Sequence, residues 1–285
     1  MDFRLTDDQR ALKKGVRSLL ERRFDRDALR AAVDGGALDR GLWRELGAAG
    51  FFALRLPEQA GGVGLGLPEA VLVFEEAGRA LLPGPLIATF LAAGEVDGAA
   101  EGEVVVTAPD GALVEWLEEA DVVRGDVTGA VPVRSVDPLT PLHRLPSPVG
   151  AAAAVGLLTA AEQLGSATWS TDAAVRYART REQFGQPIGA FQAVKHLCAR
   201  MLVRTEVARA AVYAASVTGD PVEIAGAKLL ADEAAVDCAR DCLQVHGGMG
   251  FTWESDVHLH LKRAWVRAER WLPRARLEEV EAAAL

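Results

Sequence analysis

Residues 181–192 read REQFGQPIGAFQ, and their types suit them to grip something flat and negatively charged. Arg181 offers a planar fork of donors that matches a phosphate. Gly185 and Gly189, with Pro187 between them, break a helix and let backbone amides approach an anion closely. Phe184 can pack beneath a ring. The same letters also describe a plain connection between two helices with a solvated arginine, and the stretch alone leaves both readings open. A second stretch, QVHGGMGF at 244–251, places the adjacent Gly247 and Gly248 after a helical run. Gln244 can bond a sugar or a base edge there, although a helix ending on glycine gives the same pattern. GGVGLG at 61–66 has the letters of a dinucleotide fingerprint, but no strand precedes it, so it is read as a loop.

The segment KRAWVRAERWLPRAR at 262–276 carries Lys262, Arg263, Arg267, Arg270, Arg274 and Arg276. Such a surface could meet a coenzyme phosphate or an acidic helix. A solvated helix face is the simpler reading, with Trp265 and Trp271 as core or interface anchors. The three cysteines, Cys198, Cys238 and Cys242, cannot all pair, and no further Cys or His completes a metal site at familiar spacing. A reduced, cytoplasmic protein without metal is expected. The net charge of -9 argues against nucleic acid. The N-terminus lacks the apolar stretch of a signal peptide. The most apolar run, 149–161, is too short to span a bilayer and reads as a helix buried among others.

These residues need elements to hold them, and the pattern supplies mostly helices. Thr6 and Gln9 form a capping box, followed by an apolar face of Leu12, Val16, Leu19 and Leu20. A second helix is expected near 38–49, with Leu38, Leu42, Trp43 and Leu46 inward. A loop at 57–70 leads into a helix over about 68–82, and PGP at 83–85 breaks it before LIATFLAAG resumes. From 96 to 148 the texture turns to short strands around a Pro-Asp-Gly turn, then a proline-rich run whose prolines demote it to edges or loops. Helix returns at about 149–180. A further helix carries Val194, Leu197, Cys198, Met201, Leu202, Ala208, Ala211 and Val212 on one face, followed by helices at 221–246 and about 254–271. Long helices with short connections make an antiparallel bundle. The fold class expected is mainly α: an N-terminal helical domain (1–95), a strongly reduced middle β segment (96–148) and a C-terminal four-helix bundle domain (149–285).

REQFGQPIGAFQAVKH followed by QVHGGMGF closely resembles the C-terminal domain of the acyl-CoA dehydrogenase family. LTDDQRALKKGVRSLL and LWRELGAAGFFALRLPEQAGGVGLGLPEAVLVFEEAGRALLPGP are similar to its helical N-terminal domain. The resemblance implies an FAD-dependent dehydrogenation of an acyl-CoA, in which a carboxylate takes the α-proton and the flavin takes the β-hydride. It also implies an FAD that lies across a subunit interface. By motif, Arg181, Gln183, Phe184 and Gln192 would contact the diphosphate, ribose or flavin edge, and Gln244, Gly247 and Gly248 the adenosine half. The family's glutamate would fall on Trp271, or in other members on Val155, and neither can accept a proton. Glu269 stands two residues from the first position, about 200° around a helix from it. The flavin-ring motifs of the middle domain have no counterpart at 96–148. No catalytic residue is therefore expected. The chain resembles the short subunit of heteromeric (α2β2) actinobacterial dehydrogenases of steroid side-chain β-oxidation, with a full-length partner binding most of the acyl-CoA and electron-transferring flavoprotein as an electron acceptor. The alternatives are a self-sufficient dehydrogenase that uses Glu269, and a flavin-free scaffold.

Overall fold

The computed structural model describes residues 4–284; residues 1–3 and 285, the outer ends of the two expected terminal domains, lie outside it. The first helix, α1 (Asp7–Arg23), starts with the expected capping box: Thr6 Oγ1 accepts from the Gln9 amide, and Gln9 Oε1 accepts from the Thr6 amide. Next comes α2 (Arg26–Gly35), which the helix pattern above did not include. Its signals were local. Asp25 caps it through the Ala28 amide, and Gly36 closes it in the left-handed region. Then follow α3 (Arg40–Ala48), α4 (Leu67–Ala80) and α5 (Leu86–Ala92). Leu38, Leu42, Trp43 and Leu46 point into the core as their spacing requires.

The middle segment holds β1 (Val106–Thr107), β2 (Gly111–Glu115), β3 (Val122–Val123), β4 (Val131–Val133) and β5 (Leu142–Val149). The first two strands do not pair with each other. β1 pairs in parallel with β3, and β2 joins a three-stranded antiparallel sheet of order β2-β5-β4. The proline-rich β5 is therefore the central strand, not an edge. Its double pairing is confined to Leu142, His143 and Arg144. Pro146 and Pro148 fall beyond those residues, beside a register shift between Gly111 and Leu113, where a missing N–H breaks no ladder bond.

The bundle is α6 (Ala153–Thr180), a hairpin of β6 (Glu182–Gln183) and β7 (Gln186–Pro187), α7 (Gln192–Thr218), α8 (Pro221–His246), α9 (Val257–Ala268) and α10 (Arg274–Ala283). α6 is its axis and packs on α4, α7 and α8. Almost every residue from Gly156 to Ala167 is buried, which explains the small side chains of that run. On α7 the apolar face differs from the expected one at Leu202. Met201, Ala208 and Val212 are buried, whereas Leu202, Val203 and Val207 face outward. No helix among the described residues is long and apolar enough to cross a membrane.

A buried polar cluster fastens the first helices to the bundle. The Glu75 carboxylate on α4 receives Lys13 of α1, Arg209 of α7 and the Tyr213 hydroxyl at 2.7 Å. Burial alone would raise the Glu75 carboxyl, but Lys13 and Arg209 outweigh it and hold it below 4.5. A depressed carboxylate stabilises the fold fully above its unfolded value and loses that contribution as pH falls through the folded value. Glu75→Gln is expected to cost about 2–3 kcal/mol at pH 7, because it leaves two half-buried cations without their carboxylate, a loss below the full cost of stranding a buried charge. Urea unfolding at pH 7 and below pH 4.5 checks this. The deficit of the variant should shrink at the lower pH, and a constant deficit would contradict the assignment.

Candidate functional site

Arg181 is the last residue tied to α6, its amide donating to the Tyr177 carbonyl at 2.8 Å, while its own carbonyl accepts from Ile188 across the hairpin. Between them Gln183 pairs with Gln186 around a two-residue loop, Phe184-Gly185. Both loop residues have positive φ, 54° and 77°, as a type I′ turn demands. Asparagine or glycine usually fills the first of these positions. Here a phenylalanine takes it and stands 92% exposed, with only an edge contact to Phe191 at 6.1 Å. The Arg181 side chain is exposed and has no ion pair among the described residues. Gln183 donates to the Glu182 carbonyl, and Gln192 opens α7 with its side chain exposed.

The end of α8 lies beside this hairpin. His246 stacks on Tyr177 of α6 at 4.1 Å and 21°, and its Nδ1 lies 2.8 Å from the Cys242 carbonyl. Tyr177 carries the hairpin's root on its carbonyl and His246 on its ring, so one residue fixes both motifs at one end of the bundle. The sequence reading missed Tyr177 and His246. Only the histidine inside the QVHGG run hinted at them. Gly247 follows with φ 58° and ψ -140°, a conformation open essentially to glycine. Gln244, Gly247 and Gly248 are exposed, and a Cβ on either glycine would meet open space. All seven residues singled out in the sequence thus border one solvent-facing end of the bundle. Exposed glycine backbone, a guanidinium without an ion pair among the described residues and an exposed ring can hold a flat anion. None of them is placed for proton transfer.

Trp271 lies elsewhere, past the end of α9. The chain leaves helix at Ala268, so Glu269 and Trp271 are not related by a helical turn as expected. Trp271 adopts φ 62°, donates its amide to Asp110 and its indole Nε1–H to the Ala151 carbonyl at 3.2 Å. Its ring covers Gly156, where an added Cβ would sit 2.2 Å from the indole. Gly156 adjoins Val155, so the two positions at which the resemblance would place a base converge in space, and both are apolar. Glu269 is exposed on the rim of a groove of about 580 Å³ lined also by Trp265, Trp271 and Leu142.

The basic segment is not a solvated face. Arg263, Arg267 and Arg270 are buried, at spacings that align them on the inner side of α9 and its extension. Arg263 meets Asp137, Arg267 meets Glu162 at 3.1 Å, and Arg270 meets Asp110 at 2.9 Å and Glu115 at 3.3 Å. Burial works against the Arg270 charge, but Glu115 and Asp110 hold its pKa above the ordinary value. Arg267 falls to about 10 through burial, only partly offset by Glu162. Their partners are Asp137 in the proline-rich run, Asp110 and Glu115 at β2, and Glu162 on α6, a separation in sequence that no local pattern reveals. Arg274 and Arg276 do lie at the surface, paired with Glu278 and Glu279.

This architecture is an acyl-CoA dehydrogenase fold. It superposes on the ChsE4-ChsE5 complex of Mycobacterium tuberculosis with a TM-score of 0.87 at 23% identity, covering 99% of this chain and 98% of that one. Butyryl-CoA dehydrogenase of Megasphaera elsdenii gives 0.83 at 20% identity over 100% and 99% of the two chains. The family models for the acyl-CoA dehydrogenase N-terminal domain and C-terminal domain match residues 6–96 and 156–272. Among curated proteins, acyl-CoA dehydrogenase IpdE2 of Mycobacterium tuberculosis is 38% identical over 90% of this chain and 91% of its own. IpdE2 of Mycolicibacterium smegmatis is 33% identical over 98% and 99%. The chain belongs to the acyl-CoA dehydrogenase family.

Proposed function

We propose that this chain is a non-catalytic subunit of a heteromeric, FAD-dependent acyl-CoA dehydrogenase. The observation that carries this reading is Trp271 seated over Gly156. An indole stands where a proton acceptor would be needed, and the neighbouring alternative, Val155, is equally unable to take a proton. A full-length partner supplies the carboxylate and the flavin-ring pocket, in an α2β2 assembly. The other end of this bundle suits the remaining half of the cofactor. Arg181 forms no ion pair among the described residues, Gln183 and Gln192 flank the turn, Phe184 projects into solvent, and Gly247 and Gly248 are exposed beside Gln244. When bound, FAD supplies the hydride acceptor. This chain's residues hold its diphosphate and adenosine and leave the chemistry to the partner.

The outward apolar residues of α7, Leu202, Val203 and Val207, fit a subunit contact. A steroid-type acyl-CoA, electron transfer to electron-transferring flavoprotein and a cytoplasmic location belong to the same reading. A second reading has one observation in its favour: Glu269 borders the same groove as Trp271. Co-expression with a full-length family member separates the two. The expected product is a complex with about one FAD per pair of chains, while this chain alone is colourless. Glu269→Gln should leave the turnover of the complex within about twofold, as expected when a residue makes no contact that strengthens in the transition state. A yellow, dye-reducing chain purified alone and silenced by Glu269→Gln would reverse the assignment.

A further inference from the structure

α7 is apolar on two opposite sides. Met201, Thr205, Ala208, Val212 and Ala215 face the bundle and are buried. On the far side, Val203, Val207, Ala210, Ala214 and Val217 follow one another at alternating spacings of four and three residues, which keeps them on one face of the helix. A helix that packs on one side is expected to be polar on the other, and one that is apolar all round is expected to be covered. Here Val203 is 62% exposed, Val217 59% and Val207 48%. The charged residues between them lie off this face and are engaged within the chain: Arg204 with Asp241, Glu206 with Arg209, and Arg209 with Glu75. Charge appears only at the two ends of the stripe. Arg200 stands at one end, and Asp220, just past the left-handed Gly219 that closes α7, at the other. Neither forms an ion pair among the described residues, and Asp220 caps α8 through Oδ1 alone.

Ala210 lies ten residues from both Arg200 and Asp220, and seven from both Val203 and Val217. Reversed about Ala210, the order cation, valine, alanine, valine, anion is its own complement. We propose that this face is an interface between two copies of this chain, with α7 packed antiparallel on α7 about a two-fold axis at Ala210. Val203 of one copy meets Val217 of the other, and Arg200 meets Asp220, each contact made twice by symmetry. The central alanines let the two helices approach closely. An unrelated helix would need the same charge order by coincidence, so the self-complementary pattern favours a second copy. The contact gives the two like chains of an α2β2 assembly a place to meet, and it needs neither FAD nor a partner of another kind.

Analytical ultracentrifugation of the full chain alone tests it. A reversible dimer at micromolar concentration is expected. Val207→Glu, an exposed replacement checked by circular dichroism, should weaken it roughly hundredfold, the scale of forcing a carboxylate into an apolar contact. Arg200→Glu sets like charges together at both ends and should weaken it roughly tenfold. In a Cys198→Ser background, which removes the partly exposed native thiol, Ala210→Cys should crosslink to its own copy on mild oxidation. Val203→Cys should not, because its counterpart across the axis is Val217. The proposal fails if the chain stays monomeric through the micromolar range, if Val207→Glu leaves the dimer intact, or if Ala210→Cys crosslinks no better than Val203→Cys. A monomer that covers this face only on adding a full-length family member would assign the face to that partner instead. Flavin content plays no part in these readouts, so the half-site reading stands or falls separately.

Discussion

Arg181→Ala in the co-expressed complex is expected to release FAD, lowering its affinity roughly 10- to 100-fold while the two chains stay together. A hydrogen bond to a charged group contributes about 1.5–3 kcal/mol, and a bidentate guanidinium–phosphate contact lies at the upper end of that range. The structure favours a clean result, because Arg181 is exposed and makes no ion pair among the described residues whose loss would disturb the bundle. Its helix-ending role is carried by the backbone, through the amide to Tyr177 and the carbonyl to Ile188, and survives the substitution. Flavin absorbance per complex after gel filtration, and recovery of activity with added FAD, provide the measurement. Arg181→Lys should restore part of the affinity, since an ammonium keeps the charge but loses the fork. If the complex persists with unchanged flavin content, the half-site assignment to this chain is wrong.

Arg270→Ala is expected to lower stability by about 3–5 kcal/mol in urea unfolding. The guanidinium is buried against Asp110 and Glu115 and approaches Glu162. Removing it strands Asp110 and Glu115, while Glu162 keeps Arg267, in a region where burial already raises the Glu115 carboxyl against the pull of Arg270. Asp110 also accepts the Trp271 amide, so the same substitution loosens the left-handed turn that seats the indole. Asp110→Ala should therefore be costly too, and the double variant should fall short of the sum by about 0.5–3 kcal/mol, the range of direct coupling. A loss below about 1 kcal/mol for Arg270→Ala would show that the pair behaves like a surface bridge.

The helices were legible because their signals are local: a capping box at Thr6 and Gln9, inward Leu42, Trp43 and Leu46, glycines after α8. α2 was missed although its signals were present: Asp25 caps it, Gly36 closes it, and Ala28, Leu29, Ala32 and Val33 make one apolar face. Ten residues with two alanines on that face read easily as a connection. The β5 assignment failed because a strand's place in a sheet depends on its partners, and β2 and β4 flank β5 together only at Leu142–Arg144, short of its prolines. The reading of Arg263, Arg267 and Arg270 as solvated failed for a related reason. Six basic residues within 262–276 suggest water until Asp110, Asp137 and Glu162 are brought over from other segments. At the candidate site the motif residues were visible as letters. The Tyr177–His246 stack that aligns them joins residues 69 apart, and no local pattern announces it.

The indole over Gly156 has a consequence for how this chain can change. Restoring a glutamate at Trp271 would empty the space above a glycine and bury a carboxylate against Ala151 and Gly156. Giving Gly156 a side chain first would drive it into the ring. Each step back is penalised while the other is absent, so the pair acts as a ratchet. If the subunit role proposed above holds, this ratchet ties the chain to the partner that supplies the base.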